Sequence, residues 1–99
     1  MLERILNHLS ELVSCDTQNP PRAMTSEDRI FCYCADTLRS AGCEVQIKDL
    51  GDGCVSLFAT RGTPSVLFNC HLDTVPADPA WTQNPLELTI GKQSAIGLG

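Results

Sequence analysis

The segment Ser65-Val66-Leu67-Phe68-Asn69-Cys70 is a nearly continuous apolar run. Strands of that kind are covered on both faces, as at the centre of an α/β sheet. The run therefore argues for an α/β chain in which other elements lie on either side of it. The segments before it fit this class. In Leu2-Glu3-Arg4-Ile5-Leu6-Asn7-His8-Leu9-Ser10-Glu11-Leu12-Val13-Ser14, residues Leu2, Ile5, Leu6, Leu9, Leu12 and Val13 fall on one helical stripe. Asn19-Pro20-Pro21 cannot continue that helix, so a loop follows.

A second helix is expected over residues 26–41. Thr25 or Ser26 offers an N-cap, Glu27 and Asp28 supply first-turn acids, and Ile30, Phe31, Cys34, Leu38 and Ala41 keep the 3.6 period. Gly42 is suited to the position just past the helix end. The period then changes to two. Cys43, Val45 and Ile47 alternate with Glu44, Gln46 and Lys48, and Gly51-Asp52-Gly53 signals a turn. Residues 55–60 form the return strand, antiparallel to the first. After the apolar run, Pro76, Pro79 and Pro85 impose an irregular loop, and residues 86–96 suggest a weak hairpin around Gly91-Lys92-Gln93. The apolar run should lie centrally, yet no later element is present to cover it, which is a reason to expect a truncated domain.

Composition excludes several functions. The net charge is −5 and the basic residues are scattered singly, so nucleic acid and anionic membrane surfaces are poor partners. No stretch approaches the ~20 apolar residues of a membrane span. The first 14 residues carry Glu3, His8 and Glu11 and do not resemble a signal peptide. The six cysteines contain no Cys-x-x-Cys pair and are read as reduced, mostly buried thiols of a cytoplasmic protein.

The chemistry is concentrated at His71-Leu72-Asp73, directly after the apolar run. Sites in open α/β sheets form at the carboxyl ends of central strands. Residues i and i+2 of an extended chain project to the same side, so Asp73 could accept the second N–H of a metal-bound His71 and fix its tautomer. His-x-Asp alone is a weak signal, and a strand-end histidine with a solvated aspartate nearby is the ordinary alternative. His8, with no carboxylate or cysteine pattern around it, is a surface or packing residue. Cys70 should point opposite to His71 and serve packing.

Phe68-Asn69-Cys70-His71-Leu72-Asp73-Thr74-Val75-Pro76 resembles the first metal-binding motif of the M20 metallopeptidase family. That family includes acetylornithine deacetylase, succinyl-diaminopimelate desuccinylase, aminoacylase and carboxypeptidase G. Ser14-Cys15-Asp16-Thr17-Gln18-Asn19-Pro20-Pro21 is similar to its early S-x-D-T-x-N-P-P loop. Trp81 followed by Pro85 resembles its W-x-x-x-P segment, and Ala95-Ile96-Gly97-Leu98-Gly99 its G-x-G stretch, with Leu98 where arginine is usual. The resemblance spans essentially the whole chain and looks closest to the acetylornithine and acetylcitrulline deacetylase branch.

The resemblance implies the amino-terminal part of a zinc-peptidase-like α/β/α sandwich, two helices followed by a mixed sheet, incomplete over residues 1–99. The rest of the catalytic domain and a lid or dimerisation domain would lie outside it. It implies two zinc or cobalt ions in the intact enzyme, with His71 as a metal ligand and Asp73 as the acid that orients it. The bridging aspartate and the glutamate base would come after Gly99, so this chain should be silent and its site empty. The implied substrate is a small N-acyl amino acid, cleaved at its amide bond in arginine synthesis by a cytoplasmic homodimer. Another branch of the family, such as a desuccinylase or dipeptidase, and a non-catalytic interaction module are the alternatives.

Overall fold

The structure is a computed structural model and describes residues 1–99. Its elements are α1 (Leu2–Val13), α2 (Arg29–Ser40), β1 (Glu44–Gly51), β2 (Cys54–Thr60), β3 (Thr89–Ile90) and β4 (Ala95–Ile96). The α/β class expected from the sequence holds, with two helices and two small antiparallel sheets. The chain divides into two compact units, Met1–Arg22 with Leu72–Gly99, and Ala23–His71.

The second of these units is a helix on a hairpin. In α2, Ile30, Phe31 and Ala35 are buried, and the helix packs on both β1 and β2. Complete burial of a side chain such as Phe31 stabilises by about 1.5–3 kcal/mol. Val45 pairs with Ala59, and Ile47 with Leu57, across the antiparallel ladder. Directly paired residues share a sheet face. Val45, Ile47, Val55 and Leu57 are half-buried, whereas Glu44, Gln46, Lys48 and Phe58 of the other face are exposed.

Both ends of α2 show how local chemistry sets a boundary. Asp28, not Thr25 or Ser26, is the N-cap, and its side chain makes no forward capping bond. Instead its carboxylate accepts the Thr25 N–H at 2.7 Å, while the Asp28 N–H donates to the Thr25 carbonyl at 3.1 Å. This backward pairing is half of a capping box, closed around a turn that precedes the helix. At the other end the Gly42 N–H donates to the Arg39 carbonyl at 2.9 Å and the Cys43 N–H to the Leu38 carbonyl at 3.0 Å. That is the Schellman pattern. Gly42 has φ +87°, the left-handed conformation the pattern requires.

The expected central strand does not form. None of residues 61–71 lies in a strand, and Val66, Leu67 and Phe68 are 68%, 87% and 91% exposed. An apolar run becomes a covered strand only where neighbours supply both a ladder and a second layer. Here β1 and β2 pair with each other alone.

The other unit begins with α1. Its apolar stripe is only partly used: Val13 is buried and Leu6 and Leu12 are half-buried, but Leu2, Ile5 and Leu9 stay exposed. The Leu86–Ile96 hairpin expected from the sequence is present in its last two rungs, Thr89 with Ile96 and Ile90 with Ala95. The Gly91 N–H closes it on the Ser94 carbonyl at 2.7 Å. Beyond it, Leu98 is buried and donates its N–H to the Pro85 carbonyl at 3.1 Å. Gly97 lies against α1: a Cβ there would stand 2.9 Å from Cγ1 of Val13 and 3.3 Å from Cδ1 of Leu88. The glycine is needed for close approach.

Candidate metal centre

The two motifs that stand out in the sequence are hydrogen-bonded to each other. Thr17 is 4% exposed, and its hydroxyl donates to the Leu72 carbonyl at 2.9 Å across 55 residues of sequence. The Thr74 N–H donates to the Thr17 carbonyl at 3.1 Å, and the Asn19 N–H to the Thr74 carbonyl at 2.9 Å. Gln18 and Thr74 thus form an isolated parallel bridge. Gln18 adds side-chain bonds at both ends. Its Oε1 accepts the Ala77 N–H at 2.8 Å, and its amide Nε2 donates to Asp16 Oδ1 at 3.2 Å. Asn19 Nδ2 donates to Asp73 Oδ2 at 3.4 Å.

Asp73 is therefore a surface carboxylate on a firmly tied backbone. It is exposed, while Leu72 and Thr74 on either side are half-buried. His71 is exposed as well. The division between the units falls between His71 and Leu72, so the two candidate residues belong to different units.

A catalytic zinc takes about three protein ligands, a structural one four. The structure gathers no group of three or more His, Cys, Asp or Glu side chains suited to a metal ion. An imidazole and a carboxylate two residues apart fit zinc in donor type, but this chain does not by itself supply the number.

The thiols differ from expectation. None of the six forms a disulfide, but Cys32, Cys54 and Cys70 are exposed and Cys15, Cys34 and Cys43 only half-buried. Cys70 does not serve packing, because the segment it sits in has no covering layer. His8 is exposed on α1, as a surface residue should be. Thr74 Oγ1 and Trp81 Nε1 are buried without a hydrogen-bond partner.

Thr17 and Asn19 are the residues that sequence reasoning passed over. Their loop was conspicuous, but nothing local to it says that it binds 72–74.

The chain is similar to a deacetylase. Over all 99 residues it is 50% identical to N-acetyl-L-citrulline deacetylase of Xanthomonas campestris pv. campestris. It spans 26% of that relative's length. No family model matches. The likeness to acetylcitrulline deacetylases that the motifs carry is thus borne out by this relative, and the aligned length takes in both the Thr17 loop and the His71-Leu72-Asp73 segment.

Proposed function

We propose that this chain is the amino-terminal, motif-bearing part of a metal-dependent hydrolase that removes the acyl group from an N-acyl amino acid, N-acetylcitrulline first and N-acetylornithine second. The observation that carries this reading is the 50% identity to a deacetylase along the entire chain. The tie between the Thr17 loop and the segment that carries Asp73 supports it, because the backbone on both sides of that acidic residue is hydrogen-bonded to a distant loop. Active sites need that kind of support.

In this reading His71 would hold zinc or cobalt through a ring nitrogen, with further ligands from chain beyond residue 99. Such a metal, when bound, polarises an acyl carbonyl and lowers the pKa of water. Asp73 would act on His71, accepting an imidazole N–H and so setting its tautomer. Asn19 Nδ2 donates to one oxygen of Asp73. A homodimeric cytoplasmic enzyme of arginine synthesis is the setting that the proposal implies.

The test uses the protein at its full genomic length, loaded with zinc or cobalt. Turnover is measured on N-acetylcitrulline, N-acetylornithine and N-succinyl-diaminopimelate. The proposal expects the first or second to be cleaved fastest. Fastest cleavage of the succinyl substrate would move the protein to another branch, and no cleavage of any would remove the enzymatic reading.

A further inference from the structure

We infer that Thr17 is a positioning residue for Asp73, acting through the two peptide groups that flank it. The inference rests on the metal-centre reading above and adds a residue to it.

A peptide group is planar, and the Cα atoms at its two ends lie in that plane. The carbonyl of Leu72 belongs to the plane that enters Asp73. The N–H of Thr74 belongs to the plane that leaves it. Thr17 holds both: its hydroxyl donates to the Leu72 carbonyl at 2.9 Å, and its own carbonyl accepts the Thr74 N–H at 3.1 Å. The angle between those planes is set by φ and ψ of Asp73. One residue on a distant loop therefore fixes the direction in which the Asp73 side chain leaves the backbone.

Three details make this more than ordinary packing. Thr17 is the one polar residue of the chain that is buried, at 4% exposure, so water does not compete strongly for its hydroxyl. The loop that carries it has its own stops: Ser14 Oγ donates to the Glu11 carbonyl at 2.7 Å, and Asp16 Oδ1 accepts the Gln18 N–H at 3.2 Å. The carboxylate that Thr17 aims is caught at its tip by Asn19, two residues along the same loop. Residues 17–19 thus contact Asp73 at both its flanking backbone and its side chain.

The hydroxyl and the methyl of Thr17 can be separated. Thr17→Ser keeps the donor, and Thr17→Val keeps the shape. The first measurement needs only the 99-residue chain. Backbone chemical shifts of Asp73 and hydrogen exchange of the Thr74 amide are recorded by nuclear magnetic resonance, together with exchange of the Thr17 hydroxyl proton in the unsubstituted chain. A protected hydroxyl is expected, with Thr17→Val shifting Asp73 and speeding Thr74 exchange about tenfold, and Thr17→Ser doing neither. An unprotected hydroxyl in the unsubstituted chain overturns the inference even where Thr17→Val fails to fold.

The second measurement uses the full genomic-length protein and zinc chloride, with competition against a chelator. Groups that orient metal ligands are typically worth about 10–100-fold in affinity. Thr17→Val is expected to weaken zinc retention about tenfold, with Thr17→Ser near the unsubstituted protein and His71→Ala losing most of it. Equal loss in the Ser and Val variants would mean that packing is responsible, and would overturn the inference. Loss in His71→Ala with none in Thr17→Val would overturn it while leaving the metal centre standing. Unchanged retention in His71→Ala would remove the metal-centre reading, and the positioning role with it.

Discussion

The Thr17 hydroxyl donates to the Leu72 carbonyl at 2.9 Å, joining the loop after the first helix to the peptide that leads into Asp73. Thr17→Val removes the donor and leaves a half-buried carbonyl without it. A buried group that loses its partner costs about 1–3 kcal/mol. The midpoint of urea unfolding of the 99-residue chain should fall accordingly. Thr17→Ser should stay within about 1 kcal/mol, since it loses only a methyl group.

The same substitution at Thr74, across the isolated bridge, should have the opposite sign. Thr74 Oγ1 is buried without a partner. Thr74→Val replaces an unsatisfied hydroxyl with a methyl of similar size, which is neutral or stabilising by up to about 1 kcal/mol. Urea unfolding of the two valine variants side by side tests the hydrogen-bond assignments directly. Destabilisation by Thr74→Val as large as that by Thr17→Val would mean that the hydroxyl has a partner.

Gly97→Ala should be destabilising for a steric reason. Its Cβ would stand 2.9 Å from Val13 Cγ1 and 3.1 Å from Val13 Cγ2. Overpacking of this kind costs typically about 1–3 kcal/mol. Val13→Ala makes room, so the double variant should lose less than the sum of the singles, and calorimetric unfolding of all four proteins would show the coupling.

Gly42→Ala should cost about 1–2 kcal/mol, because φ is +87° at the end of α2. Gly42→Asn should be milder, since asparagine visits the left-handed region more readily. Helical circular dichroism during thermal unfolding gives both numbers.

In the 99-residue chain, Leu67 and Phe68 should behave as surface residues despite their chemistry. They are 87% and 91% exposed, and their neighbours carry no charge from Gly62 to Cys70. Exposed apolar patches bind hydrophobic dyes and promote association. Leu67→Lys with Phe68→Lys should lower dye fluorescence and light scattering and leave the unfolding free energy within about 0.5 kcal/mol. A large loss of stability would show that the segment is covered in solution.

Much of this protein was legible in its sequence because the signals are local. The stripe from Leu2 to Val13, the alternation from Cys43 to Lys48, the turn at Gly51-Asp52-Gly53 and the helix stop at Gly42 each depend on residues a few positions apart. Backbone sterics and the 3.6 and 2.0 periods read them correctly. The start of α2 was misplaced because Asp28 bonds back to Thr25 rather than forward into the helix, and local sequence does not say which way such a side chain turns.

Tertiary structure decided the rest. A run such as Val66-Leu67-Phe68 is apolar whatever surrounds it, but its burial depends on partners elsewhere, and this chain places none over it. His71 and Asp73 could be picked out by type and spacing. What holds Asp73 could not, because its restraint comes from Thr17 and Asn19, more than fifty residues earlier in the chain. Sequence singled out His71 and Asp73 by residue type and spacing, and long-range hydrogen bonding determined which of them has its flanking backbone tied to a distant loop.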